Sequence, residues 1–280
     1  MSGHQPGRRQ GAPLVDLALS RRLERAEAHA NRRFVESRAK RVPELGAGWI
    51  EAGGAYAMFD GVGSPLTQTF GLGVFEPVTP SVLDTLEAFF ASRGSDSIHE
   101  VSPLADPSAL ALLNTRGYRP CELTTILFQP LPAEPQAGPV PEDTEVRLAR
   151  HDERNLWAAT TLQGWSEFPE VLDFISSFGP TAAAAEDAHQ FMAVQRGSPI
   201  ATGSLSLHGD VALLAGASTV PGARGQGAQR ALLAARLAFA GAQGCSVAMM
   251  GAAPGGGSQR NAERSGFRIA YTRIKWHRPR

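Results

Sequence analysis

An arginine and two glycines stand where a helix is predicted to begin, in the stretch PGARGQGAQRALLAAR at residues 221–236. Arg224 supplies a positive charge, and Gly225 and Gly227 let the backbone approach a ligand without an intervening side chain. The first N–H groups of a helix have no acceptor within it, and the helix dipole is positive at that end. The pattern therefore predicts a phosphate-binding site.

Two common phosphate loops do not fit this stretch. A Walker loop requires Gly-Lys-Ser/Thr, and the stretch contains no lysine. A dinucleotide fingerprint requires Gly-x-Gly-x-x-Gly after the first strand of a parallel unit, whereas here Gly225-x-Gly227 leads to Arg230 late in the chain. A tight helix entry without a ligand is the alternative that the loop alone leaves open.

The elements that position this loop follow from apolar periodicity and turn signals. A three-stranded meander is predicted before the loop, and a helix, a strand, a second helix and a last strand are predicted after it. We predict the meander over 190–219, helices over 228–241 and 258–266, and strands over 245–252 and 267–276.

The rest of the chain also alternates between helical and strand patterns. Thr79 is predicted to cap a helix whose first position is Pro80 and which stops at Gly94. The predicted helices cover 14–40, 80–93, 106–117, 152–163 and a segment after Pro169, and the predicted strands cover 48–59, 67–75, 97–102, 121–129 and 144–150.

A proline-rich segment divides the chain. Residues 130–143 contain five prolines in fourteen residues, which is typical of a semi-rigid spacer. We place the domain boundary there, with one domain over 14–130, a second over 144–280 and a mobile tail over 1–13. LLNTRGYRPCELTTILF in the first half and NAERSGFRIAYTRIKW in the second share a helix–turn–strand rhythm, which indicates an internal duplication.

The loop and its flanks resemble the acetyl-CoA-binding motif of the GNAT superfamily of N-acetyltransferases, whose pattern is Arg/Gln-x-x-Gly-x-Gly/Ala. Arg224 and Gly227 match its first and fourth positions, and Gln229 stands where the last Gly/Ala is expected. The next motif of the family is similar to GGGSQRNAERSGFR, which ends in Gly266-Phe267. The resemblance covers residues 144–280 well and residues 45–130 weakly.

This resemblance implies an α+β fold, a mixed and mainly antiparallel sheet flanked by helices, in two tandem GNAT-like domains. The second would bind acetyl-CoA, with its pyrophosphate on the N–H groups of 225–230 and its pantetheine arm against the end of the preceding strand. The first would be a degenerate copy, because EPVTPSVLD stands where its loop should be. The implied cofactor-binding residues are Ala217, Ser218, Thr219, Arg224, Gly225, Gln226, Gly227, Ala228, Gln229, Ser258 and Asn261.

The catalytic residues are less well defined. Many GNAT enzymes have a tyrosine four residues before the Gly-Phe pair as the acid for the CoA thiolate, and Ala262 stands there. Tyr271 is the only tyrosine of this half and the candidate acid, although a core position explains it better. Glu167, between Trp165 and Phe168, is the candidate base, with a solvated loop glutamate as the alternative. Ser258 could instead cap its helix.

Composition excludes several classes of function. The formal net charge is zero, which gives no general attraction to nucleic acid or membranes. Cys121 and Cys245 have no metal-ligand spacing and are expected to be two buried free thiols, with no metal. The N-terminus lacks a signal-peptide core, and no run of ~18 apolar residues occurs. We expect a cytoplasmic protein, with a homodimer left open.

These observations favour an acetyl-CoA-dependent N-acetyltransferase that acts on a small-molecule amine or an amino terminus by direct attack. A catalytically weak or inactive acyl-CoA-binding regulatory protein is the alternative. A third interpretation is a different acyl donor, because the run from Pro254 to Gly257 could widen the thioester end.

Overall fold

A computed structural model describes residues 14–133, 143–185 and 187–280. The predicted tail over 1–13 and most of the proline-rich segment lie outside the described residues. The elements of the first half are α1 (Leu17–Arg41), β1 (Gly48–Ala52), β2 (Ala55–Phe59), β3 (Gln68–Phe70), α2 (Pro80–Ala91), β4 (Ser97–Val101), α3 (Pro107–Thr115) and β5 (Arg119–Pro130).

The second half repeats this alternation of strands and helices. Its elements are β6 (Thr144–Leu148), α4 (Arg154–Gly164), α5 (Pro169–Ala184), β7 (Ala188–Gln195), β8 (Ser198–His208), β9 (Val211–Thr219), α6 (Ala228–Ala242), β10 (Val247–Ala252), α7 (Gly257–Arg264) and β11 (Arg268–Arg278). The predicted α+β class is confirmed.

Two local predictions show how sequence signals act here. Thr79 caps α2, because its side chain accepts a hydrogen bond from the Val82 N–H. The prediction of one strand over 48–59 is wrong. Gly53 and Gly54 both have positive φ and form a tight turn that separates β1 from β2.

The strands form a single eleven-stranded sheet in the order β1-β2-β3-β4-β11-β5-β10-β9-β8-β7-β6. The pairs β3–β4 and β9–β10 are parallel, and the other neighbours are antiparallel. Each half gives its last strand to the other: β5 pairs with β10, and β11 pairs with β4. The two halves therefore share one sheet.

Helices cover both faces of this sheet. On one face, Leu23 of α1 packs with Ile126 and Met249, and α4 and α5 join α1 further along. On the other face, α2 and α3 cover the first half and α6 and α7 cover the second. Because successive side chains of a strand point to opposite faces, neighbouring residues on β10 and β11 face the helices on opposite sides of the sheet.

The two cysteines differ in exposure. Cys245 is buried as expected, but Cys121 is exposed, so the prediction for Cys121 is wrong. Its position explains this, because β5 is exposed from Arg119 to Leu123 before it enters the core.

Candidate functional site

The loop between β9 and α6 adopts a conformation that requires its glycines. A short turn of 3₁₀-helix at Pro221–Ala223 leads from β9 to Arg224. Gly225 has φ 75° and Gly227, which precedes the first residue of α6, has φ 93°. Side chains rarely tolerate this left-handed region, so the glycines allow the chain to turn sharply into the helix.

This conformation leaves a row of donors unused. None of the backbone N–H groups of residues 225–230 donates to a backbone acceptor in the described part of the chain, and the first such bond is from Ala231 to the Gly227 carbonyl. The groups lie at the positive end of a fifteen-residue helix. Together they form a cradle for an anion such as a phosphate.

A gap in the sheet lies beside the cradle. The parallel β9 and β10 pair only from Val211 with Val247 to Leu213 with Met249, and beyond these residues the strands separate. A bulge at Gly216, whose φ is 60°, bends β9 at the same level. The separation gives a ligand access to the backbone of both strands.

A cavity of about 910 Å³ joins the cradle to this gap. Its walls are β9, β10, the end of α4 and the first turns of α6 and α7. Four of the lining residues are arginines and none is acidic, which makes the cavity positive. The four are Arg224, Arg230, Arg236 and Arg264.

Arg236 is the buried member of this group. It is only 1% exposed, and it donates to the carbonyl oxygens of Ser204 and Ala215 at 3.1 and 3.4 Å. Burial lowers the pKa of the guanidinium to about 10. A Cβ on Gly203 would lie 2.8 Å from the Arg236 Cζ, so glycine is needed there to make room for the cation.

The architecture is similar to several solved structures. A GCN5-related N-acetyltransferase from Kribbella flavida has a TM-score of 0.62 at 21% identity, over 86% of this chain and 96% of that chain. A tandem GNAT protein from the clavulanic acid biosynthesis pathway, without AcCoA, has a TM-score of 0.60 at 14% identity, over 80% and 78%. This chain has the GNAT fold.

A third GNAT structure agrees. A putative acetyltransferase of the GNAT family from Novosphingobium aromaticivorans has a TM-score of 0.51 at 16% identity, over 87% of this chain and 95% of that chain. The sequence itself matches no protein-family model and no curated protein. The likeness is thus one of fold.

Most of the residues expected to bind the cofactor meet at this cavity of the GNAT fold. Gln226 does not line it, because its side chain is exposed and donates to the Gly222 carbonyl. Those that line it are Ala217, Ser218, Thr219, Arg224, Gly225, Gly227, Ala228, Gln229, Ser258 and Asn261.

Ser258 and Gln229 have more specific surroundings. Helix α7 begins after Gly256 without a side-chain cap, so Ser258 is not the cap of its helix. Gln229, which departs from the expected Gly/Ala, donates from Nε2 to the Ser218 carbonyl at 2.6 Å and to Thr219 Oγ1 at 2.9 Å. These hydrogen bonds connect the start of α6 to the end of β9. They also occupy part of the β9 backbone that is expected to bind the pantetheine arm.

Glu167 is an ion-pair partner of Arg224 at the mouth of the cavity. Arg224 also donates to the Gly164 carbonyl at 2.8 Å. The pair lies beside the cradle. Here Glu167 is a counter-ion at the predicted phosphate site, and the structure does not place it as a base at the gap.

Tyr271 does not reach the cavity. It is 7% exposed, packs under α1, and its hydroxyl lies 2.8 Å from Glu24 Oε1. Burial, and then the nearby Glu24 carboxylate, raise the pKa of the phenol. The geometry therefore corrects its candidate role as the acid, because the alternation of β11 directs this side chain to the α1 face. Ala262 lines the cavity in place of a tyrosine.

Several lining residues were not predicted from the sequence. The end of α4 contributes Gly164 and Trp165, the start of α5 contributes Phe168, and β10 contributes Met250. The aromatic residues on either side of Glu167 are the available signal, but in the sequence they indicate only a candidate base between them. Arg236 gave no signal, because an arginine within an alanine-rich helix is usually exposed.

Gly164 is the tightest contact in the wall of the cavity. A Cβ there would lie 1.9 Å from Ser218 Oγ and 3.0 Å from the Thr219 backbone nitrogen. We expect Gly164→Ala to lower the free energy of unfolding by about 1–3 kcal/mol, because α4 must shift away from β9. Urea denaturation measures this loss.

Gly222→Ala is the matched control for this substitution. It lies in the loop beside the same cavity, and nothing comes within 4 Å of its added Cβ. We expect it to stay within about 0.5 kcal/mol of the wild type. Equal effects of the two substitutions would contradict the close packing of α4 on β9.

Metal-binding clusters and membrane-spanning helices are absent from the described residues. No group of three or more His, Cys, Asp and Glu side chains in them is arranged to hold a metal ion. None of the helices in the described ranges has both the length and the apolarity needed to cross a membrane.

Proposed function

We propose that this chain is an acyl-CoA-dependent N-acyltransferase that transfers an acetyl group from acetyl-CoA to the amine of a small molecule or an amino terminus. The observation that carries the proposal is the set of unused N–H groups over 225–230, which opens into an arginine-lined cavity at a gap between parallel strands. In the GNAT fold this arrangement suits a pyrophosphate and an extended arm.

Different residues of the cavity would bind different parts of the cofactor. The pyrophosphate would lie on the N–H groups of Gly225 to Arg230, with Arg224 released from Glu167 to neutralise it. The pantetheine arm would follow β9 from Thr219 toward Ala217, as an added strand follows a sheet edge. The thioester would then reach the gap, where an amine could attack its carbonyl carbon.

The first half would act as a scaffold without a cofactor of its own. Helix α2 begins with Pro80, which has no N–H, and Thr79 already bonds the Val82 N–H. No cradle like that of α6 forms there. We propose a degenerate domain over 14–130 and a cofactor-binding domain over 144–280, joined through their shared sheet.

A binding protein with weak or no catalysis is the second candidate. One observation favours it: the cavity is lined by no tyrosine, histidine, cysteine or acidic residue, which are the side chains that most often act as general acids. Positioning alone can still accelerate acyl transfer, because a thiolate is a good leaving group.

Titration with CoA and acetyl-CoA tests the proposal. A ligand that binds only the folded chain stabilises it by about 2.7 kcal/mol at one hundred times its dissociation constant, which raises the melting temperature. We expect both compounds to raise it and adenosine, which lacks the pyrophosphate, to have little effect. The absence of any shift with CoA would refute both candidates.

Thiol release then separates the candidates. Acetyl-CoA is incubated with a panel of primary amines, and free CoA is measured. Amine-dependent release supports the transferase, whereas binding of CoA without release supports the binding protein.

A further inference from the structure

The N-terminal helix α1 borders the face of the gap opposite the cavity. Successive side chains of a strand point to opposite faces of the sheet. Met250 of β10 lines the cavity, so a side chain at the next residue, Gly251, would point to the opposite face. Gly251 is exposed and lies beyond the last β9–β10 pair. An amine that attacks a thioester in the gap would have to come from this side, because the cofactor occupies the other.

Glu27 of α1 lies at this position. A Cβ on Gly251 would be 4.0 Å from Glu27 Oε1 and 3.4 Å from the Thr124 side chain. The Glu27 side chain keeps 16% of its surface exposed. Its carboxylate therefore borders the gap on the α1 face, and part of the side chain remains exposed.

The surroundings of Glu27 hold this carboxylate in place. Arg273 of β11 donates from Nη2 to Glu27 Oε2 at 2.8 Å, which leaves Oε1 on the side of Gly251. Glu24 of the same helix and Glu100 of β4 also face Arg273. Burial raises the pKa of Glu27, Arg273 opposes the rise, and the carboxylates of Glu24 and Glu100 add to it.

We propose that Glu27 accepts the proton of the attacking amine, so that the N-terminal helix supplies the base for the cofactor held by the second half. This proposal rests on the proposed function. The amine nitrogen forms a bond to the thioester carbonyl carbon, the carbon–sulfur bond breaks, and CoA leaves as a thiolate. The proton lost by nitrogen passes to Glu27 Oε1 and from there through water to the thiolate.

The position of Glu27 accounts for what the cavity lacks. No acidic or histidine side chain lines the cofactor side, and Glu167 is occupied by Arg224 near the cradle. A carboxylate with a raised pKa is a better proton acceptor than an ordinary one.

Glu27→Gln tests the proposal, with Glu24→Gln as the matched control. Both substitutions remove one carboxylate from Arg273, but Glu24 is 1% exposed and faces Tyr271 and not the gap. The readouts are CoA affinity, melting temperature and thiol release from acetyl-CoA with ethylamine, a probe small enough to enter a narrow site, between pH 5.5 and 9.

We expect Glu27→Gln to lower kcat by about 100-fold with CoA affinity unchanged, and to abolish the fall in rate at low pH that remains after the rate is divided by the fraction of ethylamine present as the free base. In Glu24→Gln we expect kcat to be kept and this acid limb to move to lower pH, because Glu24 helps to raise the pKa of Glu27. A purely structural role would move the melting temperature in both variants without changing the pH profile.

Other outcomes contradict the proposal. Ethylamine-dependent release that is equal in wild type and Glu27→Gln overturns it, and so does a wild type that binds CoA but gives no ethylamine-dependent release. Failure of the wild type to bind CoA is a different result, because it refutes the proposed function itself.

Discussion

Replacement of Arg273 by leucine is expected to lower the free energy of unfolding at pH 7 by about 3–5 kcal/mol, because it leaves carboxylates buried without their counter-ion. Arg273 is 1% exposed and lies 3.3 Å from Glu24, 2.8 Å from Glu27 and 3.3 Å from Glu100. Urea denaturation of the intact chain measures the loss.

The size of this effect follows from the charges around Arg273. Burial lowers the pKa of the guanidinium, but the three carboxylates outweigh it and raise the pKa above its usual value. Burial already raises the pKa of Glu24 and Glu27 in the folded chain, and without the opposing guanidinium both pKa values would rise further above those of the unfolded chain. Such groups destabilise the fold as pH rises, so the loss should be smaller at pH 5 than at pH 7.

Arg268→Leu is the control on the same strand. Arg268 is exposed at the start of β11, and an exposed charge of this kind contributes little to stability. We expect a change within about 0.5 kcal/mol. If the two leucine variants are equally stable, or if the loss in Arg273→Leu is independent of pH, the buried charges do not determine stability here.

Local elements of this fold could be predicted from the sequence because their signals are local. The entry of α2 follows from Thr79 and Pro80, and the loop before α6 follows from Gly225 and Gly227, whose positive φ no other residue readily adopts. The tight turn at Gly53 and Gly54 was missed, although two adjacent glycines between apolar runs are a hairpin signal.

The exchange of β5 and β11 could not be predicted in this way. Apolar alternation shows that a segment is a strand and which residues share a face, but it does not identify the neighbouring strand. Glu27 and Arg273 are 246 positions apart in sequence, and only the exchange brings β11 under α1. The same limit explains Tyr271, whose burial depends on that pairing.

The same difference between local and long-range signals applies to the candidate site. The cofactor cradle lies within one continuous segment, so its residue types and spacing were sufficient to locate it. The base does not lie near it in sequence. Glu167 was chosen because it is close to aromatic residues along the chain, and the structure places it against Arg224.

We expect Arg224→Glu to weaken CoA binding by at least about 10-fold, because it places a carboxylate where the pyrophosphate would lie. The carboxylate would also face Glu167, which contacts Arg224 in the wild type. Isothermal titration with CoA measures the change. The melting temperature without ligand should change little, because Arg224 is 39% exposed and its ion pair lies at the surface.

Two controls separate the cradle from general electrostatics. Arg268→Glu makes the same change of charge on an exposed strand residue outside the cavity, and we expect it to keep the wild-type affinity. Glu167→Gln frees Arg224 from its counter-ion and should tighten CoA binding, because the phosphate no longer competes with a carboxylate for the guanidinium. A salt titration adds a third check: the loss in Arg224→Glu should shrink as ionic strength rises. Equal affinities of the two arginine variants would show that CoA does not bind at the head of α6, and the N–H groups of 225–230 would then have no phosphate to hold.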